Sequence, residues 1–333
     1  SRVPYQQTEV FRFGNAVVDD WEGQLNAWPL DEGLIDYVKE DGYQYELGNE
    51  GATANIIAST EINIGGTTVD ASSLTPDLLA ELNEIGGSEA NVASGYHAIE
   101  FLLWGQDLHG FDPGAGQRPA TDYARGEECT HGNCDRRAAY IDAATDLLIS
   151  DLEWMVAQWA PGQEDNYRSQ LLAEAPDTAV QKMFFGMGSL SLGELAGERM
   201  KVALEANSYE DEHDCFSDNT HNSHYYNGQG VANIYSGSYT RIDGSELTGP
   251  SLSDLVAELN PELNETLSQQ FEESMEALQT MKSSAEAESE PMKFDMMIAP
   301  GNEKGAKIVN GAIMALVAQT GSIEQAAREL GID

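Results

Sequence analysis

Apolar positions spaced three and four residues apart predict long helices along much of the chain. Residues 136–159 carry one such stripe, and Pro161-Gly162 follows it as a stop signal. Residues 177–206 contain no proline and carry regularly placed apolar side chains, and residues 303–330 form a last apolar segment. These patterns predict an all-α fold.

A further helix, residues 95–106, is apolar on nearly all sides but contains two ionisable residues. His97 and Glu100 are three residues apart and therefore share a helix face, where they can share a ligand. A buried ionisable pair needs a partner, either another charge or a metal. The spacing resembles the Glu-x-x-His element of di-iron carboxylate bundles in reversed order. The alternative interpretation is a hydrogen-bonded histidine in a helical core.

Gly95 opens this segment, and a glycine inside an apolar helix usually marks the close approach of another part of the chain.

An internal repeat predicts the domain organisation. Residues 54–83 and 232–260 both begin with Ala-Asn-Ile and end with Asp-Leu-x-Ala-Glu-Leu-Asn. We therefore predict two related helical-bundle domains that arise from an internal duplication and carry long loops, with boundaries at 1–165 and 166–333. No histidine stands in the second half where the repeat would place a copy of His97, which favours a functional role for this residue.

Two polar segments are expected to form loops. Residues 19–33 contain Trp21 and Trp28 among acidic residues, so this loop either covers a site or is anchored to the core by its aromatic rings. Residues 210–224 are rich in turn formers and hold three of the six histidines. A separate zinc site is conceivable in this second segment, although its spacing matches no familiar zinc-finger pattern. Its ligands would be His213, Cys215, His221 and His224.

The charge balance excludes several classes of partner. The chain has 57 acidic and 17 basic residues among 333, which gives a net charge of −40. Such a field repels nucleic acid and anionic membrane surfaces and favours cations near the protein. The acidic residues are spread along the whole chain, which is also typical of a solvated surface in a salty medium.

The apolar and cysteine patterns bear on the compartment. No run of about 18 apolar residues is present, so we predict no transmembrane segment. Residues 1–7 lack the features of a signal peptide, so we expect any export signal to have been removed. Cys129 and Cys134 flank a short loop, and a disulfide between them would fit an oxidising compartment.

Several motifs together resemble the imelysin-like proteins, which include the iron-regulated proteins of bacterial envelopes. The G-x-H-x-x-E signature is met as Gly95-Tyr96-His97-Ala98-Ile99-Glu100. The further matches are Gln7-Thr8-Glu9, Asn26-Ala27-Trp28-Pro29-Leu30-Asp31, Cys134-Asp135-Arg136-Arg137, Gly193-Glu194-Leu195-Ala196-Gly197-Glu198-Arg199-Met200 and Asp214-Cys215-Phe216-Ser217-Asp218-Asn219-Thr220-His221.

The resemblance implies an all-helical protein of two similar bundles, a periplasmic or outer-membrane-associated location and iron-regulated expression. It also implies a site where the signature helix meets the domain interface. The residues that we expect to line this site lie in the same segments, apart from Arg12, which follows the first of them by three positions. They are Arg12, Trp28, Asp31, Arg199, Asp218 and Asn219.

The first functional hypothesis is an envelope protein that binds iron, with zinc as the alternative metal. His97 would supply a nitrogen and Glu100 a carboxylate, and Glu9, Glu194 or Glu198 would complete an oxygen-rich set suited to iron. The expected partners are a metal ion or small ligand and envelope components of iron uptake.

The second hypothesis is a metallopeptidase, the label that imelysins first carried. Common zinc peptidases need two histidines four residues apart with a glutamate as general base between them, whereas the His97 segment supplies one histidine and no such base. A third hypothesis is an envelope module that binds a small organic ligand or a protein without a metal. These residues therefore leave open whether the protein is an enzyme.

Overall fold

The computed structural model describes residues 9–11, 16–39 and 53–332. The fold is all-α, as the periodicity predicts. The α-helices of the described residues include α1 (Ala16–Leu25), α2 (Glu32–Ile35), α3 (Pro76–Leu82), α4 (Gly95–Trp104), α5 (Cys134–Trp159), α6 (Tyr167–Ala173), α7 (Pro176–Gly188), α8 (Val202–Ala206), α9 (Thr220–Ser236), α10 (Leu252–Leu259), α11 (Pro261–Ala285), α12 (Phe294–Ile298) and α13 (Glu303–Leu330). Short 3₁₀ turns lie at Ile85–Gly87, Ala120–Tyr123 and Gly126–Glu128.

Two antiparallel hairpins interrupt the helices of the described part. Strand β1 (Glu61–Ile64) pairs with β2 (Thr67–Asp70), and β3 (Ser238–Thr240) pairs with β4 (Glu246–Thr248).

The chain divides into two compact units, which we describe separately. The signature unit comprises residues 20–109 and 114–160, and the C-terminal unit comprises residues 1–19, 110–113 and 161–333. The domain boundaries at 1–165 and 166–333 remain a prediction.

In the signature unit, α4 and α3 both pack against the long helix α5. The core includes the fully buried side chains of Phe101, Leu79 and Tyr140, and the Tyr140 hydroxyl donates to the Ala93 carbonyl at 2.8 Å. This bond satisfies the one polar atom of a side chain that otherwise contributes apolar area, which is how tyrosine is accommodated in a core.

Arg136, near the start of α5, ties a distant loop and hairpin to this helix. Its guanidinium donates to five backbone carbonyls at 2.7 to 3.2 Å. Because an arginine has five N–H donors in a fixed fork, one side chain can satisfy several carbonyls that no sheet or helix reaches. The acceptors are Ile56, Ile57, Ser59, Ala71 and Ser72.

Two arginines and two aspartates form a buried ion cluster in the same unit, which we call the Asp36–Arg137 cluster. Arg137 is fully buried and binds Asp36 through two hydrogen bonds, Nε to Oδ2 at 2.6 Å and Nη2 to Oδ1 at 3.0 Å. Nη1 of Arg118 lies 2.6 Å from Asp36 Oδ2 and 3.4 Å from Asp122 Oδ2. Two positive charges therefore face two negative ones.

Asp122 completes this cluster and is itself heavily hydrogen-bonded. Its carboxylate accepts from the Tyr37 hydroxyl at 2.5 Å, the Thr130 hydroxyl at 2.7 Å and, at 2.6 Å, from Nδ1 of His131. Burial by itself would raise the pKa of Asp122, but these hydrogen bonds and the Arg137 charge outweigh it and lower the pKa to about 2.

The loop that supplies Thr130 and His131 to this carboxylate is closed by a disulfide between Cys129 and Cys134, whose Cα atoms lie 6.0 Å apart.

In the C-terminal unit, α7 and α8 are parts of one continuous helix, with a π-helical segment, Ser189–Lys201, between them. This helix, 176–206, agrees with the helix expected over 177–206. It packs against α13, whose bounds coincide with the predicted 303–330, and α13 packs in turn against α11. The buried core between these helices includes Leu195, Met200, Leu278 and Leu316.

Among the described residues, α13 is the helix that is long and apolar enough to cross a membrane by length and composition. Its buried positions, such as Val309, Leu316 and Ile323, recur at helical spacing and belong to the bundle core or lie against neighbouring helices. The absence of a transmembrane segment remains a prediction.

The two repeat copies share a local structure that the sequence analysis did not predict. Each forms a hairpin followed by a helix whose N-cap hydroxyl, Thr75 or Ser251, accepts a backbone N–H of the first turn. Before the hairpin the copies differ, because residues 232–236 belong to α9 whereas residues 53–60 are turns. The duplication of whole domains is not confirmed by this local likeness.

Two loop expectations were wrong. Residues 19–25 belong to helix α1, where Trp21 is buried and its indole N–H donates to the Asp151 carbonyl at 2.7 Å. Residues 220–224, expected in a loop, open α9. In both segments the polar residues obscured the helical pattern, because the side chains that face inward are themselves polar or aromatic.

Candidate metal centre

The signature helix α4 begins at a point of close backbone contact. Gly95 has a φ of +84°, and a Cβ on it would lie 2.5 Å from the Leu25 carbonyl oxygen and 2.7 Å from that of Gln24. The preceding Ser94 donates its hydroxyl to the same Gln24 carbonyl at 3.1 Å. A glycine is therefore required where the start of α4 meets the end of α1, because any side chain would collide with backbone.

His97 and Glu100 lie together on the buried side of α4. Nδ1 of His97 is 3.2 Å from Oε2 of Glu100, and the two residues are 1% and 6% exposed. Helical spacing produces this geometry directly, because residues three apart on an α-helix are neighbours. We call these two residues the His97–Glu100 pair.

Trp28 and Asp31 come from the segment that follows α1. The Trp28 ring packs edge-on against the His97 imidazole, with the ring centroids 5.0 Å apart. Asp31 is buried directly before α2, and its backbone N–H donates to the Ala90 carbonyl at 3.0 Å. The structure therefore brings Trp28, one of the predicted site-lining residues, into contact with His97.

The chemistry of the pair suits a metal cation. A neutral imidazole offers a nitrogen and a carboxylate offers up to two oxygens, and this mixture is bound by iron and zinc alike. The ring nitrogen that does not ligate a metal is commonly held by a carboxylate or carbonyl, which fixes the tautomer. The pair can thus act either as two ligands or as one ligand and the group that orients it.

In the C-terminal unit, Glu9 lies in a fully buried polar cluster. Its Oε1 accepts from Arg199 Nη2 at 2.8 Å and its Oε2 accepts from Asn227 Nδ2 at 2.9 Å. The segment is held close to α7, because the Val10 carbonyl occupies the place where a Cβ of Gly186 would stand. A metal bound by Glu9 would have to share or displace these hydrogen bonds.

The other two predicted carboxylate ligands differ in their surroundings. Glu194 Oε2 lies 3.7 Å from Arg199 Nη2, and its side chain is 24% exposed. Glu198 is exposed. Arg199 thus joins Glu9 and Glu194 in one charged group, while Glu198 faces solvent.

Asp218 and Asn219 lie at the start of α9. Asp218 is buried, and Lys293 Nζ donates to its carbonyl at 3.0 Å. Asn219 occupies the N-cap of α9 and accepts from the Asn222 side chain at 2.9 Å. Arg12, the remaining site-lining prediction, lies outside the described residues.

Sequence reasoning missed the buried face of α9. Thr220, His224, Asn227 and Val231 all lie inward at helical spacing, and His224, which the sequence analysis named only as a possible zinc ligand, is fully buried. Polar residues spaced three and four positions apart were the signal that could have revealed this helix face, which the apolar residues alone do not show.

Burial dominates the titration of these histidines. It lowers the pKa of His224 to about 3, and the charge of nearby Arg199 acts in the same direction. It likewise lowers the pKa of His221 to about 4, with a further contribution from the Lys293 charge. Both imidazoles are therefore neutral near pH 7, which is the form that binds metals.

Comparisons with known proteins add two findings and one absence. The family model described as imelysin matches residues 1–323. A crystal structure from Parabacteroides distasonis, of a protein assigned as an iron-regulated protein A precursor, aligns with a TM-score of 0.59 at 18% identity. The alignment covers 98% of this chain and 80% of that chain, and at this identity it shows a shared fold. No curated protein matches the chain.

Proposed function

The chain belongs to the imelysin family, and from that premise we propose that it is an exported envelope protein that binds a divalent metal, with iron as the first candidate. His97 and Glu100 are the proposed ligands. The name of the Parabacteroides distasonis protein, an iron-regulated precursor, supports both export and a connection with iron.

The observation that carries this proposal is the buried His97–Glu100 pair. An imidazole nitrogen and a carboxylate oxygen lie 3.2 Å apart on a helix whose other buried side chains, Ala98, Phe101 and Leu102, are apolar. An imidazole nitrogen and a carboxylate oxygen this close together on one helix face can both bind the same cation.

The charge of the whole protein supports a cationic ligand. A net charge of −40 concentrates cations near the surface and speeds their arrival. Iron is preferred to zinc as the first metal to test because the Parabacteroides distasonis protein is described as iron-regulated, and an imidazole nitrogen with a carboxylate oxygen is a donor mixture that iron accepts.

The test is metal binding by the purified protein, measured with Fe²⁺ under anaerobic conditions and with Zn²⁺ in parallel. We expect His97→Ala to weaken iron binding roughly tenfold or more, since it removes a ligand. His109→Ala is the matched control, because His109 lies in a partly exposed loop and its loss should leave binding unchanged.

Unchanged iron affinity in a folded His97→Ala protein would overturn the proposal. His97→Asn, which keeps a polar group in the same place, serves as a second variant if the alanine protein fails to fold. Incubating the metal-loaded protein with denatured casein tests the peptidase alternative in the same preparation, and cleavage that disappears in His97→Ala would favour it.

A further inference from the structure

A cavity of about 560 Å³ lies in the C-terminal unit between α7, the π-helical segment and α13. This volume is within the range of pockets that hold small organic ligands. Apolar side chains dominate its walls, among them Phe184, Phe185, Leu192, Ile323, Ala327 and Ile332.

The π-helical segment shapes one wall of this cavity. Ser189, Leu192, Gly193 and Glu194 all come from it, and π-helical turns are rare and frequently found at functional sites. A Cβ on Gly193 would meet no atom within 4 Å, so this position opens onto free space. Phe185 also lines the cavity and is 61% exposed.

Three charged side chains line the cavity, and together they carry one net negative charge. Arg328 lies 3.7 Å from Glu324, so these two balance each other. Glu194 is the remaining carboxylate of the lining. Behind the wall, Glu194 lies 3.7 Å from Arg199, which also binds Glu9.

We propose that this cavity binds a small organic cation with an apolar body, such as an aryl-alkyl ammonium compound. The apolar walls would take the body of the ligand, and burial of its apolar area would supply most of the affinity. The ammonium group would lie beside Glu194, and the exposed ring of Phe185 can add a cation–π contact. This ligand site does not involve the His97–Glu100 pair, and it assigns Glu194, which the sequence analysis offered as a metal ligand, to the ammonium group instead.

Three probes that share one apolar body test the proposal by isothermal titration calorimetry on the full chain at physiological salt. They are 4-phenylbutylammonium, 4-phenylbutanol and 4-phenylbutanoate. We expect the ammonium compound to bind roughly tenfold more tightly than the alcohol, and the carboxylate to bind most weakly, since Glu194 repels it.

Two substitutions at Gly193 locate the binding. Gly193→Phe places a ring in the cavity and should reduce ammonium binding at least roughly tenfold, whereas Gly193→Ala leaves most of the space open and should keep the affinity within about twofold. Glu194→Gln keeps the shape of the wall and should abolish the preference for the ammonium compound over the alcohol.

Several outcomes would overturn the inference. If Gly193→Phe, with an unchanged circular dichroism spectrum, binds the ammonium compound as tightly as the parent, the probe is held elsewhere on the acidic surface. Equal affinity for all three probes, or no binding of any, would also reject an organic-cation site. Self-association that disappears in Gly193→Phe would show that the groove receives a second copy of the chain instead.

Discussion

The signature unit contains two buried ionic groups that differ in composition. The Asp36–Arg137 cluster joins two guanidinium groups to two carboxylates at distances down to 2.6 Å. The His97–Glu100 pair joins one imidazole to one carboxylate at 3.2 Å. Both are nearly inaccessible to solvent, so burial alone does not distinguish a structural group from a functional one.

The difference lies in what each group can bind. A guanidinium has only donors and cannot ligate a metal, and in the cluster its donors already meet carboxylates. An imidazole can present a nitrogen lone pair, and a carboxylate can present oxygens, so the pair can accept a cation. The comparison teaches that a balanced arginine–aspartate cluster is a structural element, whereas a buried histidine–glutamate pair can serve as a binding site.

The largest expected effect is the loss of an arginine from the cluster. Arg137→Met leaves Asp36 buried without its bidentate partner, which should lower the free energy of unfolding by about 3 to 5 kcal/mol. Urea unfolding monitored by circular dichroism measures this change. Arg125→Met is the matched control, because Arg125 is exposed and its replacement should have little effect.

If the cluster is purely structural, the folded fraction of Arg137→Met should bind iron as the parent does. Parallel losses of stability and metal affinity would contradict the distinction between the two groups.

A second prediction uses the pH dependence of Asp122. Its pKa is about 2 in the folded protein, below the ordinary value of 3.8 for an aspartate, so the stabilisation is fully present above pH 3.8 and is lost as the pH falls towards 2. A shift of this size corresponds to about 2 kcal/mol.

The measurement compares the parent with Asp122→Asn in urea at a series of pH values between 5 and 2. The difference in unfolding free energy between the two proteins should shrink by about 2 kcal/mol over this range. Protonation of the buried His221 and His224 in acid also destabilises the folded protein. Both histidines are present in the parent and in Asp122→Asn, so their contributions to the unfolding free energy cancel in the difference. A difference that stays constant with pH would contradict the hydrogen-bonding account of Asp122.

The smallest effect in free energy concerns the pair itself. Glu100→Gln keeps the shape of the side chain but removes its charge, and should weaken iron binding roughly tenfold, which corresponds to about 1.4 kcal/mol. Its effect on unfolding should be smaller than that of Arg137→Met. Glu81→Gln, at an exposed position of α3, is the matched control. If Glu100→Gln binds iron as tightly as the parent, Glu100 is not a ligand. It then either orients His97 or has no role in binding.

Much of the helical fold follows from local sequence. The stripe over residues 136–159 corresponds to α5, which begins two residues earlier at Cys134, and the predicted last helix coincides with α13. These elements were predictable because their inward faces are apolar and recur at helical spacing. The α9 helix was missed because its inward face carries Thr220, His224 and Asn227, so that its pattern reads as polar.

The geometry of the His97–Glu100 pair was also predictable, since three residues of helix determine it. The surroundings of Glu9 were not. Arg199 and Asn227, which hold its two oxygens, are 190 and 218 residues away in the chain. Nothing in the local pattern around Glu9 indicates that its charge is already paired.

The amino-acid sequence by itself determined the helical class, the bounds of the apolar helices, the signature spacing and the family. Only the tertiary structure decided which charged residues pair with one another. Asp36 and Arg137, for example, form an ion pair although they are 101 residues apart. The reason is physical: helix formation depends on contacts three and four residues apart, whereas pairing of buried charges depends on which distant segments are packed against each other.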